Sequence, residues 1–274
     1  MKVITILLSL GLLAGAAAPP PDKAHVKYFR PPQKTAREPK ALGAPVVVNA
    51  ASFLPGICPG SIATIFGQNL IDVNGIISAG STPLPLELGG VSVYVNGVQA
   101  PLFAVAHSSN GEDQINFQVP FEAPTGPGAA QVEVVSFGDR TASVFVDSFT
   151  EDPGIFVYNG YAIAVHVDGS FVTPSDPAAR GETIVLYTTG LGPVTVDVPD
   201  GYPAPSEPLA YTADPFQVLV AGEQAQVLFS GLAPGFVGVY QLNVVLPEDL
   251  PPGDLDMQIS TPYATSGVAK LSVF

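Results

Sequence analysis

The residues best suited to acid–base or nucleophilic chemistry are few in this chain. It contains three histidines, of which His107 and His166 lie in the part that is predicted to fold. Ser108 or Ser109 with His166 and Asp168 would supply the residue types of a Ser-His-Asp triad, but a triad is defined by its geometry and not by residue type alone. The sequence contains no Gly-x-Ser-x-Gly nucleophile elbow. It therefore predicts no catalytic residues.

Metal-binding patterns are equally sparse. Two histidines without a third ligand at close spacing do not predict a zinc site. Acidic residues gather in short turn-like segments, which could hold calcium through carboxylate and carbonyl oxygens; the segments are GED (111–113), TED (150–152), DVPDG (197–201) and PED (247–249). No EF-hand spacing or glycine-rich calcium repeat accompanies them. We expect solvated loop charge, no metal and no cofactor, with calcium binding as an open alternative.

The single cysteine, Cys58, offers either a nucleophilic thiol or a small buried side chain. Its neighbours in CPGS (58–61) include no histidine or asparagine that could activate it. We therefore expect a buried and unreactive thiol.

Two pairs of amide side chains recur along the chain. Gln114 and Asn116 lie in QINFQVP, and Gln241 and Asn243 lie in QLNVVLP, 127 positions further on. Residues i and i+2 of a strand share one face, so each pair places two amides side by side. Such a pair could bind a sugar or a peptide, or it could satisfy main-chain groups of a loop at the end of a sandwich. Recurrence favours the second role, because a repeat preserves its architecture more reliably than its ligand.

Short strands must position these amides. VSVYVNG (91–97) alternates apolar and polar residues, and its Asn-Gly pair predicts a two-residue hairpin turn. The 28 glycines and 29 prolines favour frequent turns over long helices, and no window shows helical periodicity. The chain is therefore predicted to be all-β.

The second half of the chain repeats the order of the first. Apart from the amide segments, the matches are PGSIATIFGQNL (59–70) with RGETIVLYTTGL (180–191), and VSVYVNGVQAPLFAVA (91–106) with FQVLVAGEQAQVLFSG (216–231). Their offsets are 121 and 125 positions, a drift that loop insertions would produce. Two units of about a hundred residues with many short strands are typical of tandem immunoglobulin-like β-sandwiches. We assign residues 45–150 to the first sandwich and 151–274 to the second.

The N-terminus carries an export signal. Residues 1–18 have the order of a secretory signal peptide: Lys2, an apolar run from Val3 to Leu13, and small residues up to a predicted cleavage site after Ala18. The apolar run is too short for a comfortable membrane span. Residues 19–44 form a basic, proline-rich stretch that is typical of an extended linker. We therefore expect an exported protein that does not span a membrane.

Charge is distributed unevenly along the chain. The formal net charge is −14, and 22 of the 24 acidic residues but only three of the ten basic residues lie from residue 45 onward. A surface with this charge repels phosphate backbones, which excludes nucleic acid as a partner of the folded part.

The sequence resembles one known family, the Solibacter-type uncharacterised C-terminal domain. The segments that carry the resemblance are VVNAASF (47–53), PGSIATIFGQNL, LGGVSVYVNGVQAPLF (88–103), QINFQVP, PGIF (153–156), AVHVDGS (164–170), LYTTGLGPV (186–194) and GLAPGFVGVYQLNVVLP (231–247). They follow the family's order over nearly all of residues 45–274. Arg180 departs from the pattern, because a proline is usual there.

The resemblance implies export, since the family occurs in exported acidobacterial proteins, usually after other extracellular repeats. It also implies two sandwiches similar to the IPT/TIG domains of cell-surface proteins. The family has no assigned activity, so the resemblance supplies no catalytic residues.

We therefore expect a non-catalytic module with a structural or interaction role at the cell surface or outside the cell, where its partner is a protein or a glycan. A carbohydrate- or protein-binding module is the first alternative, and it would use exposed tyrosines that cluster on one face. The candidates are Tyr94, Tyr158, Tyr161, Tyr202 and Tyr211. A secreted hydrolase is the second alternative, and it would need His166 beside a serine in hydrogen-bond geometry.

Overall fold

The structure, a computed structural model, describes residues 44–138 and 140–274. The predicted signal peptide (1–18) and most of the predicted linker (19–44) lie outside the described residues. Within the described ranges the regular elements are β-strands, and they form the sheets of two β-sandwiches. The all-β sandwich fold predicted from the sequence is confirmed. In the same ranges no helix has the length and apolar character needed to cross a membrane.

The first sandwich contains strands β1 to β9. Their bounds are Val46–Asn49 (β1), Ile62–Gly67 (β2), Gly75–Ser78 (β3), Val91–Val95 (β4), Val98–Ala100 (β5), Leu102–His107 (β6), Asp113–Gln118 (β7), Gly126–Ser136 (β8) and Arg140–Ser148 (β9). One sheet has the strand order β1-β2-β7-β6-β3 and the other has the order β5-β4-β8-β9. Apolar side chains from both sheets, such as Ile65, Phe117 and Val132, form one hydrophobic core between them.

The second sandwich contains strands β10 to β19. Their bounds are Gly154–Ile155 (β10), Val157–Tyr158 (β11), Tyr161–Ala162 (β12), Ala164–Val165 (β13), Thr183–Thr189 (β14), Gln217–Val220 (β15), Glu223–Leu232 (β16), Tyr240–Val245 (β17), Gly253–Ser260 (β18) and Ala269–Val273 (β19). They form one ten-stranded sheet in the order β10-β14-β17-β16-β15-β18-β19-β12-β11, with β13 also paired to β14. Its second core includes Leu186, Tyr240 and Met257.

The pairing registers repeat between the sandwiches with the offsets that the sequence shows. The matching cross-strand partners are Phe66 and Ala106 for Gln114 on β7, and Tyr187 and Gly231 for Gln241 on β17. The pairing of β6 with β7 and that of β16 with β17 also shift register at matching points, after Leu102 in the first sandwich and after Val227 in the second. The similarity of the two halves therefore extends to individual residues.

One position changes how the sheets are connected. Pro101 separates β5 from β6, whereas the matching residue Gln226 lies within β16 and pairs with Val245. Proline has no N–H to donate and ends a ladder, and glutamine does not. The strand β16 therefore continues from one layer to the other, which makes the second sandwich one continuous sheet.

The hairpin predicted after β4 is present in both halves. Asn96 and Gly97 have φ angles of 49° and 82°, and Ala221 and Gly222 have φ angles of 52° and 83°. Two consecutive residues with positive φ form the type I′ turn that suits a two-residue hairpin. Asn96 also accepts a hydrogen bond from Gln131 N through its side-chain oxygen at 2.8 Å. Ala221 has no side chain that could do the same.

A buried junction joins the two sandwiches. Ala51 and Ile62 of the first sandwich pack with Phe156, Ala233 and Val239 of the second in a third apolar cluster.

Hydrogen bonds cross the same junction. Ile62 N donates to Thr189 Oγ1 at 3.0 Å, and Gly201 N donates to Gln118 Oε1 at 2.6 Å. Because both acceptor side chains are buried, these bonds help to fix one sandwich against the other.

Candidate functional site

The predicted amide pairs adopt the same arrangement in both sandwiches. Gln114 Nε2 donates to Asn116 Oδ1 at 2.9 Å, and Gln241 Nε2 donates to Asn243 Oδ1 at 2.9 Å. Asn116 Oδ1 also accepts a hydrogen bond from Thr64 Oγ1 at 3.2 Å. Strands β7 and β17 thus each carry two amides that are hydrogen-bonded along the strand.

These contacts differ from the expected role. The sequence favours bonds from the amides to the main chain of a neighbouring loop, but Asn116 and Asn243 bond side chains on the sheet itself. No loop main-chain partner for either asparagine occurs among residues 44–138 and 140–274. The amide pairs therefore organise the face of the sheet, not a loop.

The surroundings of the two pairs are not alike. Gln114 is 8% exposed and Asn116 is half-buried, and the neighbouring residues Thr64, Ala104 and Ala106 are small and buried. In the second sandwich, the counterparts of these neighbours are Val185, Phe229 and Gly231, and both amides are half-buried. The two pairs therefore differ at the glutamine, which is buried in the first sandwich and half-buried in the second.

Aromatic side chains border the second pair. Tyr187 is the cross-strand partner of Gln241, and its ring centroid lies 6.3 Å from that of Phe236. On the other side, Tyr211 pairs with Gly231 and its ring lies 5.5 Å from that of Phe229. Burial raises the pKa of the Tyr187 hydroxyl.

The tyrosines named from the sequence do not form one cluster. Tyr94 lies on β4 of the first sandwich, whereas Tyr158 and Tyr161 are cross-strand partners on β11 and β12. Tyr202 and Tyr211 lie in the long connection between β14 and β15. Of the five, only Tyr211 lies in the row that contains Gln241.

His107 is engaged by a buried carboxylate. Its Nδ1 lies 2.6 Å from Asp113 Oδ1, and Asp113 is fully buried. The other carboxylate oxygen of Asp113 accepts hydrogen bonds from Leu70 N at 2.6 Å and Ile71 N at 3.3 Å. The His107–Asp113 pair therefore holds the chain between β2 and β3 against β7.

His166 is likewise engaged by its own loop. Its Nδ1 lies 2.5 Å from Glu182 Oε1, and its Nε2 lies 3.3 Å from the carbonyl oxygen of Asp176. The hydrogen bond to Glu182 raises the pKa of the His166 imidazole.

The Ser-His-Asp set considered from the sequence is not assembled. Ser108 Oγ donates to the carbonyl oxygen of Glu112 at 2.8 Å, in the first sandwich. Asp168 accepts from Ser170 N at 2.9 Å and from Ser170 Oγ at 2.8 Å, while His166 faces Glu182. The three side chains therefore serve separate turns.

The segment that connects the sandwiches is buried and polar. Asn49 Nδ2 donates to the carbonyl oxygen of Asp152 at 2.8 Å and to Asp152 Oδ2 at 3.1 Å. Asn49 Oδ1 accepts from Ala51 N at 2.8 Å and Ser52 N at 3.2 Å. Asn49 is fully buried, so one amide ties β1, its turn and the connecting segment together.

Cys58 lies against the same segment. It is fully buried, its thiol donates to the carbonyl oxygen of Thr150 at 3.2 Å, and burial raises its pKa to about 12. A thiol with that pKa is protonated at neutral pH and is a poor nucleophile. The predicted buried thiol is confirmed.

The prediction of solvated loop acids is wrong for two of the segments. Asp113 is fully buried and Glu151 is 1% exposed, and burial raises the pKa of the Glu151 carboxyl. Within the described ranges, no three histidine, cysteine or acidic side chains gather in a way that could hold a metal ion.

Two junction residues were not singled out in the sequence. Gln118 lies two positions after Asn116 and so shares its face, a signal that the alternation of QINFQVP contains. Asn49 follows an apolar strand and precedes Ala-Ala-Ser, which suits an Asx turn. The sequence gives no sign of their long-range partners, Gly201 and Asp152.

Comparison with known proteins gives no family assignment. No family model matches the chain, and no curated protein matches it. One similar solved structure is SGBP-B of the Bacteroides ovatus mixed-linkage glucan utilization locus, in complex with a mixed-linkage heptasaccharide; it is 10% identical over 80% of this chain, with a TM-score of 0.33.

Two further similar structures are the Escherichia coli adhesin FdeC and the I9–I11 tandem of titin. FdeC is 14% identical over 86% of this chain with a TM-score of 0.26, and the titin tandem is 13% identical over 85% with a TM-score of 0.22. The chain spans 43% of the SGBP-B chain, 66% of the FdeC chain and 65% of the titin chain.

Proposed function

We propose that this chain is an exported, non-catalytic tandem sandwich module with a structural or interaction role at the cell surface or outside the cell. The observation that carries the proposal is the buried junction between the sandwiches. Asn49 and the cluster around Ile62 link the two halves directly. A connection of this kind suits a rigid unit that holds or presents surfaces at a fixed spacing.

The side chains that would be needed for catalysis support the same proposal. His107 and His166 each direct Nδ1 to a carboxylate that also bonds main-chain N–H groups. Both residues therefore have local structural roles, and neither stands beside a serine in the geometry that a hydrolase needs.

Export is the part of the proposal that rests on residues 1–18 and on the resemblance to the Solibacter-type domain. Cell fractionation tests it: we expect the protein outside the cytoplasm, and N-terminal sequencing should begin at Pro19. A cytoplasmic product that retains Met1 would contradict it.

The interaction role is tested by affinity capture with the mature protein against secreted proteins and a panel of glycans. We expect saturable capture of an extracellular protein or glycan, without turnover of the captured molecule. Turnover of a glycan or ester would favour the hydrolase alternative, and variants of His166 would then be the first to examine.

A carbohydrate-binding role is a second candidate, and one observation favours it. The half-buried amides Gln241 and Asn243 lie in a face that also presents Tyr187, Tyr211 and Phe229. Aromatic rings can pack against the apolar face of a sugar while amides bond its hydroxyl groups. The first sandwich lacks this combination, because Ala104 and Ala106 take the places of Phe229 and Gly231.

A glycan array with Tyr211→Ala and Asn243→Ala tests this candidate. Both variants should lose binding while remaining folded, because Tyr211 is 45% exposed and Asn243 is half-buried. Tyr94→Ala is the matched control, because Tyr94 is half-buried on the first sandwich and should not affect binding. A glycan that binds all three variants equally well would exclude this face.

A further inference from the structure

Four asparagines of this chain are each followed by a glycine. The pairs are Asn74–Gly75, Asn96–Gly97, Asn110–Gly111 and Asn159–Gly160. The asparagine of every pair is exposed. An asparagine before glycine can react with its own main chain, because glycine has no Cβ to hinder the approach of its nitrogen to the asparagine side chain. Exposure does not distinguish the four pairs, so their hydrogen bonds must.

The reaction is deamidation, and it needs water and no other reagent. The main-chain nitrogen of the glycine forms a bond to Cγ of the asparagine, and the bond from Cγ to Nδ2 breaks. Nδ2 leaves as ammonia with the proton of the glycine N–H, and a succinimide ring remains. Water then opens the ring at either carbonyl, which gives aspartate or isoaspartate. The asparagine side chain must therefore be free to turn, and the glycine N–H must not be held.

The side chain of Asn96 is held by the neighbouring strand. Its Oδ1 accepts a hydrogen bond from Gln131 N at 2.8 Å, and its Nδ2 donates to the carbonyl oxygen of Ala129 at 3.2 Å. Both bonds must break before Cγ can approach the nitrogen of Gly97. This pair is therefore protected on the asparagine side.

In the pair Asn110–Gly111 both reacting groups are engaged. Asn110 Oδ1 accepts hydrogen bonds from Ser108 Oγ and, at 3.3 Å, from Glu112 N. Gly111 N donates to the carbonyl oxygen of Ser108 at 3.0 Å. This pair is therefore protected on both sides.

In the pair Asn74–Gly75 the glycine is held by the sheet. Gly75 begins β3 and pairs with His107 of β6. Further along the same ladder, Ala79 N donates to the carbonyl oxygen of Phe103 at 2.8 Å, and hydrogen-bonded pairs alternate with non-bonded pairs along antiparallel strands. Gly75 and His107 therefore form a hydrogen-bonded pair, and the nitrogen of Gly75 belongs to the ladder.

Asn159 and Gly160 form the turn of the hairpin β11–β12. Their φ angles of 52° and 85° nearly equal the 49° and 82° of Asn96 and Gly97. Within the described ranges, however, neither the side chain of Asn159 nor the N–H of Gly160 has a hydrogen-bond partner. The two turns therefore share a backbone conformation and differ in what holds the asparagine.

We propose that Asn159 is the site at which the folded chain deamidates, and that hydrogen bonds protect the other three Asn-Gly pairs. Bonds that must break before the reaction add to its barrier. Two hydrogen bonds of ordinary strength slow the reaction by about tenfold or more.

The site lies in the hairpin that covers the edge of β19. Tyr161 of β12 pairs in parallel with Lys270 of β19, and Lys270 N donates to the carbonyl oxygen of Gly160 at 2.9 Å. Isoaspartate adds a methylene group to the main chain, and a two-residue type I′ turn has no room for it. Formation of isoaspartate should therefore release Lys270 N and open this edge of the second sandwich.

Peptide mapping by mass spectrometry tests the proposal on the full mature chain during incubation at mildly alkaline pH. The rate at each site is compared with the rate at the same site in denaturant, where the fold protects none of the four pairs. In the folded chain we expect Asn159 to react within about threefold of its denatured rate. We expect the other three asparagines to react at least about tenfold more slowly than in denaturant.

Two variants sharpen the test. Ser108→Ala removes one hydrogen bond from Asn110 Oδ1 and should raise the rate at Asn110 by about threefold or more, while the rate at Asn159 stays the same. Asn159→Ala removes the reacting side chain, and Ala221 already occupies the matching position of the other hairpin in the second sandwich. Amide hydrogen exchange at Lys270 N should become faster as the wild-type chain ages, and it should stay constant in Asn159→Ala.

Three outcomes would overturn the proposal. They are an Asn96 that reacts as fast as Asn159 in the folded chain, an Asn159 that is protected as strongly as the other three, and isoaspartate at residue 159 that leaves exchange at Lys270 N unchanged. Circular dichroism identifies a variant that fails to fold, and the four rates of the wild-type chain then decide the result.

Discussion

In the first sandwich a strand ends at Pro101, and the edge of β9 is open beside Val144 and Phe145. In the second sandwich the matching strand continues through Gln226, and β12 covers the matching edge of β19. The registers of their shared strands are nevertheless the same. The strand pairing of this fold therefore tolerates change at its borders. A few residues at those borders decide how far each sandwich is closed.

The largest expected effect comes from breaking the contact that makes the two sandwiches one unit. Asn49→Ala removes four hydrogen bonds made by a fully buried amide and leaves main-chain donors at Ala51 and Ser52 without their acceptor. We expect a loss of about 3 kcal/mol in the free energy of unfolding, measured by urea denaturation.

Asn74→Ala is the control for this experiment, because Asn74 is exposed. It should change the free energy of unfolding by less than about 0.5 kcal/mol. A similarly small change for Asn49→Ala would mean that the connecting segment is not held by this amide.

The amide pairs provide the next test, because the two sandwiches treat them differently. Asn116→Ala leaves two buried donors, Gln114 Nε2 and Thr64 Oγ1, without an acceptor, and it should cost about 1–2 kcal/mol. Asn243→Ala affects one half-buried partner, Gln241, and should cost less than about 1 kcal/mol. Thermal and urea unfolding of the two variants in parallel would measure the difference, and equal losses would refute the asymmetry.

A third test uses pH to probe the junction. Asp200 of the second sandwich accepts a hydrogen bond from Phe121 N of the first at 3.1 Å, and burial, followed by the charge of Glu122, raises its pKa to about 6. The unfolded carboxyl titrates near ~3.9. The folded state therefore binds the proton more tightly, and its stability falls as pH rises from about 4 to about 6.

Asp200→Asn should remove this dependence. We expect Tm of the wild-type protein to fall by ~2–4 °C more than that of the variant between about pH 4 and about pH 7. Asp197→Asn, at an exposed position in the same connection, should follow the wild-type curve. Parallel curves for wild type and Asp200→Asn would show that this carboxyl does not titrate as described.

The smallest expected effect concerns the repeated hairpin. Ala221 occupies the positive-φ position that Asn96 occupies in the first sandwich, and asparagine tolerates that conformation better than alanine. Ala221→Asn should raise the free energy of unfolding by about 0.5 kcal/mol, and the reciprocal Asn96→Ala should lower it by about 1 kcal/mol. Differential scanning calorimetry would check both, and a destabilised Ala221→Asn would contradict the proposed equivalence.

The sequence predicted what depends on local periodicity. The alternation in VSVYVNG and the Asn-Gly pair were enough to place β4 and its turn, because side-chain period and turn chemistry are local properties. The repeated phrases also predicted which strands are equivalent, since offsets in the sequence carry over into registers.

The sequence did not predict what depends on distant partners. The bond from Asn49 to Asp152 joins residues 103 positions apart, and nothing near either residue specifies the other. The same limit applies to the amide pairs. Their shared face followed from period two, but how far each glutamine is buried depends on the neighbouring strands, where Ala104 and Ala106 are replaced by Phe229 and Gly231.

The covered edge of β19 has a mechanical consequence. β12 and Ala178 both pair with it in parallel. Tension that draws the C-terminus away from these neighbours along the strand axis would strain several hydrogen bonds together instead of opening them one after another. Such loading raises the barrier to rupture, and the rate of forced unfolding follows that barrier. Under such tension, the second sandwich would be the slower of the two to yield at its last strand.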